Sequence, residues 1–339
     1  MAVCLAAHSP AQAQPSPSAE IDRSTAVSLS GSVLRVEASK PTGGFSMGSG
    51  VTVGPDLVIT NCHVTRESTR LNVVRNGVRW RVTAQVVDAA HDLCLLQAPG
   101  LQSPAVAMAD ANAVQLGQSV LALGYTGGMG LQHSLGLVVG LHRQDNSRVV
   151  QTSNGFNSGA SGGGLFDNQG RLLGILTFRL RGAEQHYFAA PANWVASLVL
   201  AAQAGALQAV QTLDTADPPF WLAQGDQQPR FLRASMLQVE QRWLDLAGLA
   251  RAWLLDDARD DARDGEPWYL LGMALDQLAQ PAQARMALHC ALRLQPQRET
   301  AQARLDKLDK LVPESSAGLA AQRLPETGTV AAVSCPAVA

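Results

Sequence analysis

The sequence predicts a multidomain chain, with an all-β region first and an all-α region after it. Before about residue 204, apolar residues come in short runs bounded by turn signals. GSGVTVGPDLVITNCHV reads as a strand, a Gly-Pro-Asp turn and a second strand, and Leu93 to Leu96 as another. After residue 204 the composition shifts, and residues 229–311 carry Ala, Leu, Arg and Gln at helical spacing. The chain has 339 residues, 46% hydrophobic and 16% charged, with a net charge of −2. That balance suits soluble folded domains and offers no basic patch for nucleic acid. No run of about 18 apolar residues occurs, so no transmembrane span is expected.

The segment QTSNGFNSGASGGGLFD holds Ser161 in Gly159-Ala160-Ser161-Gly162-Gly163. Glycines on both sides of a serine make a tight turn that presents several backbone N–H groups at one point and leaves the hydroxyl clear. This is the geometry of a nucleophile with its oxyanion hole, with Gly159, Ala160 and Ser161 as the backbone donors. A serine hydroxyl needs a base to take its proton and a carboxylate to orient that base. His63, at the end of the second strand, supplies the base, and Asp92, at the mouth of the Leu93 to Leu96 run, the orienter.

His63 in TNCHV, Asp92 in HDLCLL, the QT opening the Ser161 segment and HYFAAPANWV together resemble the trypsin-like serine peptidases, in their bacterial HtrA (Deg) branch. The resemblance covers roughly residues 30 to 200. It implies two six-stranded antiparallel barrels packed face to face, with the His63, Asp92 and Ser161 triad in the cleft between them and no cofactor. It places Gly155 at the base of the pocket for the residue preceding the scissile bond, and Phe156 on its wall. Thr177 and Phe178 fall in the strand that pairs with substrate backbone. With Gly155 where trypsin-type enzymes carry an aspartate, small or medium apolar residues are the expected preference.

The sequence departs from that family in three ways. Ala160 precedes the nucleophile where digestive relatives have an aspartate and HtrA relatives an asparagine, so activation by an ion pair to a new N-terminus is not expected. Gly164 stands in place of the usual proline, which implies a mobile oxyanion loop. Cys62 and Cys94 replace two alanines typical of HtrA relatives. The approach of His63 to Asp92 brings these cysteines close, and a disulfide between them is expected. A zinc site from Cys62, His63, His91 and Cys94 is disfavoured, because neighbours on a strand point to opposite faces; no metal is expected.

HtrA relatives often continue into a PDZ domain, whereas here PWYLLGMALDQLAQPAQARMALHCALRLQPQ fits one tetratricopeptide repeat. Trp268, Leu271, Gly272, Leu275, Ala284, Leu288, Ala291 and Pro296 take its expected positions. A degenerate repeat is expected from Phe231 to Asp260, and a capping helix from Glu299 to Leu311. The predicted organisation is a signal-peptide remnant and disordered N-terminus (1–25), a protease domain (26–204), a linker (205–228), a helical domain (229–311) and a disordered tail (312–339). Ala11-Gln12-Ala13 resembles the end of a signal peptide whose start lies upstream, which implies a periplasmic or secreted location. The tail contains the sortase-like LPETG, without the apolar stretch and basic end that sorting needs. The pairing of Cys290 and Cys335 is left open by this reading.

Two function classes follow. One is a serine endopeptidase acting on protein or peptide substrates, its helical module recruiting substrate or a partner without building the active site. The other is a catalytically weak protease-like scaffold that binds proteins.

Overall fold

The computed structural model describes residues 21, 23–40, 43–127, 130–180, 186–213, 218–259, 264–311 and Cys335. The signal-peptide motif, LPETG and most of the predicted tail lie outside them. A short helix, α1 (Arg23–Leu29), precedes the sheets and buries Leu29, so the expected boundary at residue 25 falls inside an ordered element.

The first half of the β region comprises β1 (Val33–Ser39), β2 (Phe45–Gly54), β3 (Leu57–Asn61), the one-turn helix α2 (Cys62–Thr65), β4 (Arg70–Arg75), β5 (Val78–Arg81), β6 (Ala84–Asp88) and β7 (Leu93–Gln97). Asn76 and Gly77 both have positive φ, the backbone required by the two-residue hairpin between β4 and β5. Leu34, Val36, Val58, Leu71, Val73 and Leu96 fill this half's core.

These strands do not close into the expected six-stranded barrel. They form a curled eight-stranded sheet, whose order is β14-β6-β7-β3-β2-β1-β4-β5. The extra edge strand, β14 (Gln208–Ala209), comes from the predicted linker and pairs with Gln85 and Ala84 of β6. Further contacts from Gln211 to Gln85 and from Leu213 to Arg66 fasten the segment to the sheet, so it does not hang free.

The second half closes as expected. β8 (Ser119–Tyr125), β9 (Leu131–Gln144), β10 (Ser147–Thr152), β11 (Gly164–Phe166), β12 (Leu172–Leu180) and β13 (His186–Pro191) make a six-stranded barrel in the order β10-β13-β12-β11-β8-β9, with β9 pairing β10. Asp145 and Asn146 hold positive φ in the β9–β10 hairpin. Helix α3 (Ala192–Gln203) follows and buries Trp194, Val195 and Leu198.

Five α-helices follow among the described residues: α4 (Arg230–Val239), α5 (Trp243–Arg259), α6 (Glu266–Gln277), α7 (Pro281–Leu294) and α8 (Glu299–Leu311). Each packs on its neighbour in sequence, as consecutive helical hairpins do. Trp268, Leu271, Leu275, Ala284, Leu288 and Ala291 are all buried in the positions the repeat pattern assigns. A Cβ on Gly272 would lie 2.7 Å from Leu288 Cγ, which is why α6 and α7 approach so closely there. Cys335 is joined to Cys290 of α7.

The helical array is not separate from the β region. One continuous apolar core runs from Phe178, Phe188 and Trp194 through Phe231, Leu232 and Trp253 to Leu288. Phe231 stacks on His142 of β9 at 4.4 Å, and His142 Nδ1 lies 2.6 Å from Glu266 Oε1 at the start of α6, both side chains 4% exposed.

Candidate active site

His63 sits in α2, at the first turn after β3, where the apolar strand LVITN ends. Asp92 occupies the turn before β7 with φ of 58°, a left-handed conformation that aspartate tolerates better than most residues. The two are brought together by backbone as well as side chain. Cys62 N–H donates to the Asp92 carbonyl at 3.1 Å, and so does Asn61 Nδ2 at 3.0 Å. The Asp92 carboxylate accepts the His63 backbone N–H at 2.8 Å on Oδ1 and pairs with His63 Nδ1 at 2.6 Å on Oδ2.

The carboxylate is 1% exposed and the imidazole 29%. The outer edge of the ring is therefore open while its orienting partner is sealed from water. With Nδ1 held against a carboxylate, the proton resides on that nitrogen and Nε2 is left as the basic one.

Cys62 and Cys94 flank this pair. β3 and β7 are neighbours, with Thr60 opposite Cys94, and the structure joins the two cysteines across a Cα separation of 5.0 Å.

Ser161 lies half-buried on the turn between β10 and β11, pinned from the other half of the β region. Its carbonyl accepts Ser49 N–H at 2.7 Å, and Ser49 Oγ donates to the Gly159 carbonyl at 2.8 Å. A Cβ on Gly48 would sit 3.0 Å from Ser161 O and 2.6 Å from Val64 Cγ2, so the residue after His63 and the backbone of Ser161 border the same point. Gly162 has φ of 85° and passes so near Ser49 O and Thr60 Oγ1 that no side chain fits. That close approach is the physical reason for its glycine.

The expected donors divide. Ala160 N–H points into its own turn, donating to Asn157 O at 3.0 Å, and the residue is 1% exposed; it is withdrawn from the oxyanion set. The N–H groups of Gly159 and Ser161 take no acceptor among the described residues. Gly164 also differs from expectation. It is the first residue of β11, paired with Leu123 and Ile175, and the Phe166 ring fills the space a side chain would need. Its glycine serves packing and does not loosen the turn.

Among the expected substrate contacts, Gly155 is exposed beside the Tyr187 hydroxyl, and the Phe156 ring packs tilted against the Tyr187 ring at 4.8 Å. The side chains of Thr177 and Phe178 are committed elsewhere. Thr177 Oγ1 donates to Ile175 O and accepts from Asn61 Nδ2, and Phe178 lies between Phe188 and Trp221, so only their backbone remains for a substrate. β11 pairs with β12 only as far as Ile175, which leaves Thr177 to Leu180 without a strand partner on that edge among the described residues.

Trp221 was not foreseen. Its indole N–H donates to Asp92 Oδ2 at 3.2 Å, from a position 129 residues further along the chain. No local pattern announces such a contact; the only hint is the aromatic pair Phe220-Trp221 in a stretch otherwise composed as a linker.

The family model for the trypsin-like peptidase domain matches residues 48–175. The periplasmic serine endoprotease DegP of Escherichia coli K12 is 32% identical over 169 residues, covering 45% of this chain and 35% of DegP. The periplasmic pH-dependent serine endoprotease DegQ of the same organism is 29% identical over 182 residues, covering 50% of this chain and 39% of DegQ. The chain thus spans little more than a third of the length of these curated relatives. Among solved structures, the active form of the Rv3671c protease from M. tuberculosis matches with a TM-score of 0.52 and 25% identity, over 62% of this chain and 100% of that one. Residues 48–175 thus match the trypsin-like peptidase domain, and the chain is similar over about half its length to the DegP and DegQ serine endoproteases.

Proposed function

We propose that this chain is an exported serine endopeptidase in which Ser161 is the nucleophile, His63 the general base and Asp92 the residue that orients and charges the base. The observation that carries the reading is the sealed Asp92 carboxylate against His63 Nδ1 at 2.6 Å, with Ser161 on a turn that borders the same cleft. In the reaction His63 Nε2 takes the Ser161 proton as Oγ attacks the scissile carbonyl. The tetrahedral oxyanion is met by the N–H groups of Gly159 and Ser161, and the imidazolium then protonates the leaving amine. Substrate lies extended along the unpartnered edge of β12 beyond Leu176, bonded through backbone. Gly155 and Phe156 border the pocket for a small or medium apolar side chain.

The periplasmic relatives and the Cys62–Cys94 pairing support an oxidising compartment. No helix among the described residues is long and apolar enough to cross a membrane. The helical array, read as tetratricopeptide-like, presents a groove of about 550 Å³ bordered by Trp243, Tyr269, Met273, Arg304 and Lys307, which suits recruitment of a protein segment.

The test is a fluorophosphonate probe, which reacts only with an activated serine. Wild-type protein is expected to label at Ser161 and the Ser161→Ala variant not at all. A folded wild-type protein that fails to label refutes the reading.

A further inference from the structure

We propose that Trp221 is a positioning residue for the His63–Asp92 couple, so that the segment joining the β region to the C-terminal helices helps assemble the catalytic geometry. The inference rests on the peptidase reading above and goes beyond it.

The Asp92 carboxylate lies out of contact with water, and each oxygen needs a donor to stay charged in one orientation. His63 supplies its backbone N–H to Oδ1 and its ring to Oδ2. The polar side chains on the adjoining strands do not reach it: Asn61 Nδ2 is spent on the Asp92 carbonyl and Thr177, and the Thr177 hydroxyl on Ile175 O. The remaining donor among the described residues is the Trp221 indole N–H. A second donor on Oδ2 fixes the direction of the lone pair that meets His63 Nδ1, and so the tilt of the imidazole toward Ser161.

Trp221 is itself held on several sides. Its ring stacks on Phe178 at 5.2 Å with an interplanar angle of 8°, and meets the His63 ring edge-on at 5.9 Å. Its neighbour Phe220 donates its N–H to the Ala90 carbonyl at 2.9 Å and packs against Phe178 and Trp194. Downstream, the chain enters α4, where Phe231 stacks on His142. The short segment carrying Trp221 is anchored at one end by the turn that bears Asp92 and at the other by a helix seated on the second barrel.

The test uses full-length protein with Trp221→Phe, which keeps the stacking ring and removes the N–H, and with 3-benzothienylalanine at position 221, which keeps the bicyclic shape and replaces N–H by sulfur. In both, kcat for a small activated ester is expected to fall about tenfold, the scale of a lost hydrogen bond to a charged group, while KM is unchanged. The downfield proton resonance of His63 Nδ1 is expected to shift and broaden. Wild-type kcat together with a wild-type resonance in the benzothienyl protein overturns the proposal. If wild-type protein does not label with fluorophosphonate, the peptidase reading falls, and the His63 resonance alone still decides whether Trp221 orients the pair.

Discussion

At the scale of single residues, the site is built from backbone close approaches that only particular side chains permit. Gly162 shows this most directly. Its positive φ and its contact with Ser49 O leave no room for a methyl group, so Gly162→Ala is expected to displace Ser161 and cut kcat/KM at least 10²-fold, a loss of the size that misplacing a catalytic group produces. Ser161→Ala, by contrast, should lose about 10⁴-fold or more with its thermal unfolding unchanged, because in the proposed reading the hydroxyl carries chemistry and not core. Kinetics alongside a melting curve separates the two. His91, next to Asp92, is a third case. It joins Asp88 of the first sheet (Nδ1 to Oδ2, 2.6 Å) to Asp145 of the β9–β10 hairpin (Nε2 to Oδ2, 3.1 Å), and stacks on Trp194. Burial alone would lower its pKa, but the hydrogen bonds and charges of Asp88 and Asp145 outweigh burial and raise it above the ordinary 6.5. A raised histidine stabilises the fold fully below the unfolded value and loses that contribution as pH rises through the folded one. Urea unfolding is therefore expected to show a stability decline beginning near pH 6.5 and continuing upward, and His91→Asn should flatten it; a parallel decline in the variant contradicts the assignment.

At the scale of elements, the expectations that held were those written in local pattern. The strand that ends before His63, the strand that begins after Asp92, the glycine-flanked serine turn and the helices at residues 229 to 311 are each announced by residues within a few positions of one another. The expectations that failed depend on what lies across the fold. Ala160 looks like an oxyanion donor until Asn157 claims its N–H. Gly164 looks like a loosened loop until Phe166 fills the space above it. The first sheet opens because β14, from a stretch composed as a linker, joins the edge of β6. The disulfide belongs to this scale as well, since it ties α2, just past the end of β3, to β7 with a sequence separation of 32. On the chain-entropy account such a closure contributes roughly 3 to 4 kcal/mol, so the paired substitution Cys62→Ala and Cys94→Ala is expected to lower the denaturant midpoint accordingly, measured against protein under non-reducing conditions.

For the whole molecule, the seam between the second barrel and the helices carries as much as either part alone. His142 and Glu266 meet across it, both side chains buried, so removing the Glu266 carboxylate leaves a buried imidazole nitrogen facing a cavity. Glu266→Ala is expected to destabilise barrel and helices together, seen as one unfolding transition displaced to lower temperature when followed by both tryptophan fluorescence and helical circular dichroism. Two transitions, with only the helical one displaced, would mean that the parts fold independently. The shared core also has a consequence in time. A chain is made from its N-terminus, at about 5–20 residues per second, and its sheet and barrel are complete in sequence before Phe231 has been added. Until α4 and α5 follow, Phe178, Phe188 and His142 lack the aromatic cover that Trp221 and Phe231 supply. The growing polypeptide thus passes through a stage with a bare aromatic face and without the Trp221 hydrogen bond to Asp92, and on the proposal above its rate of cutting, itself included, stays reduced until that segment has docked.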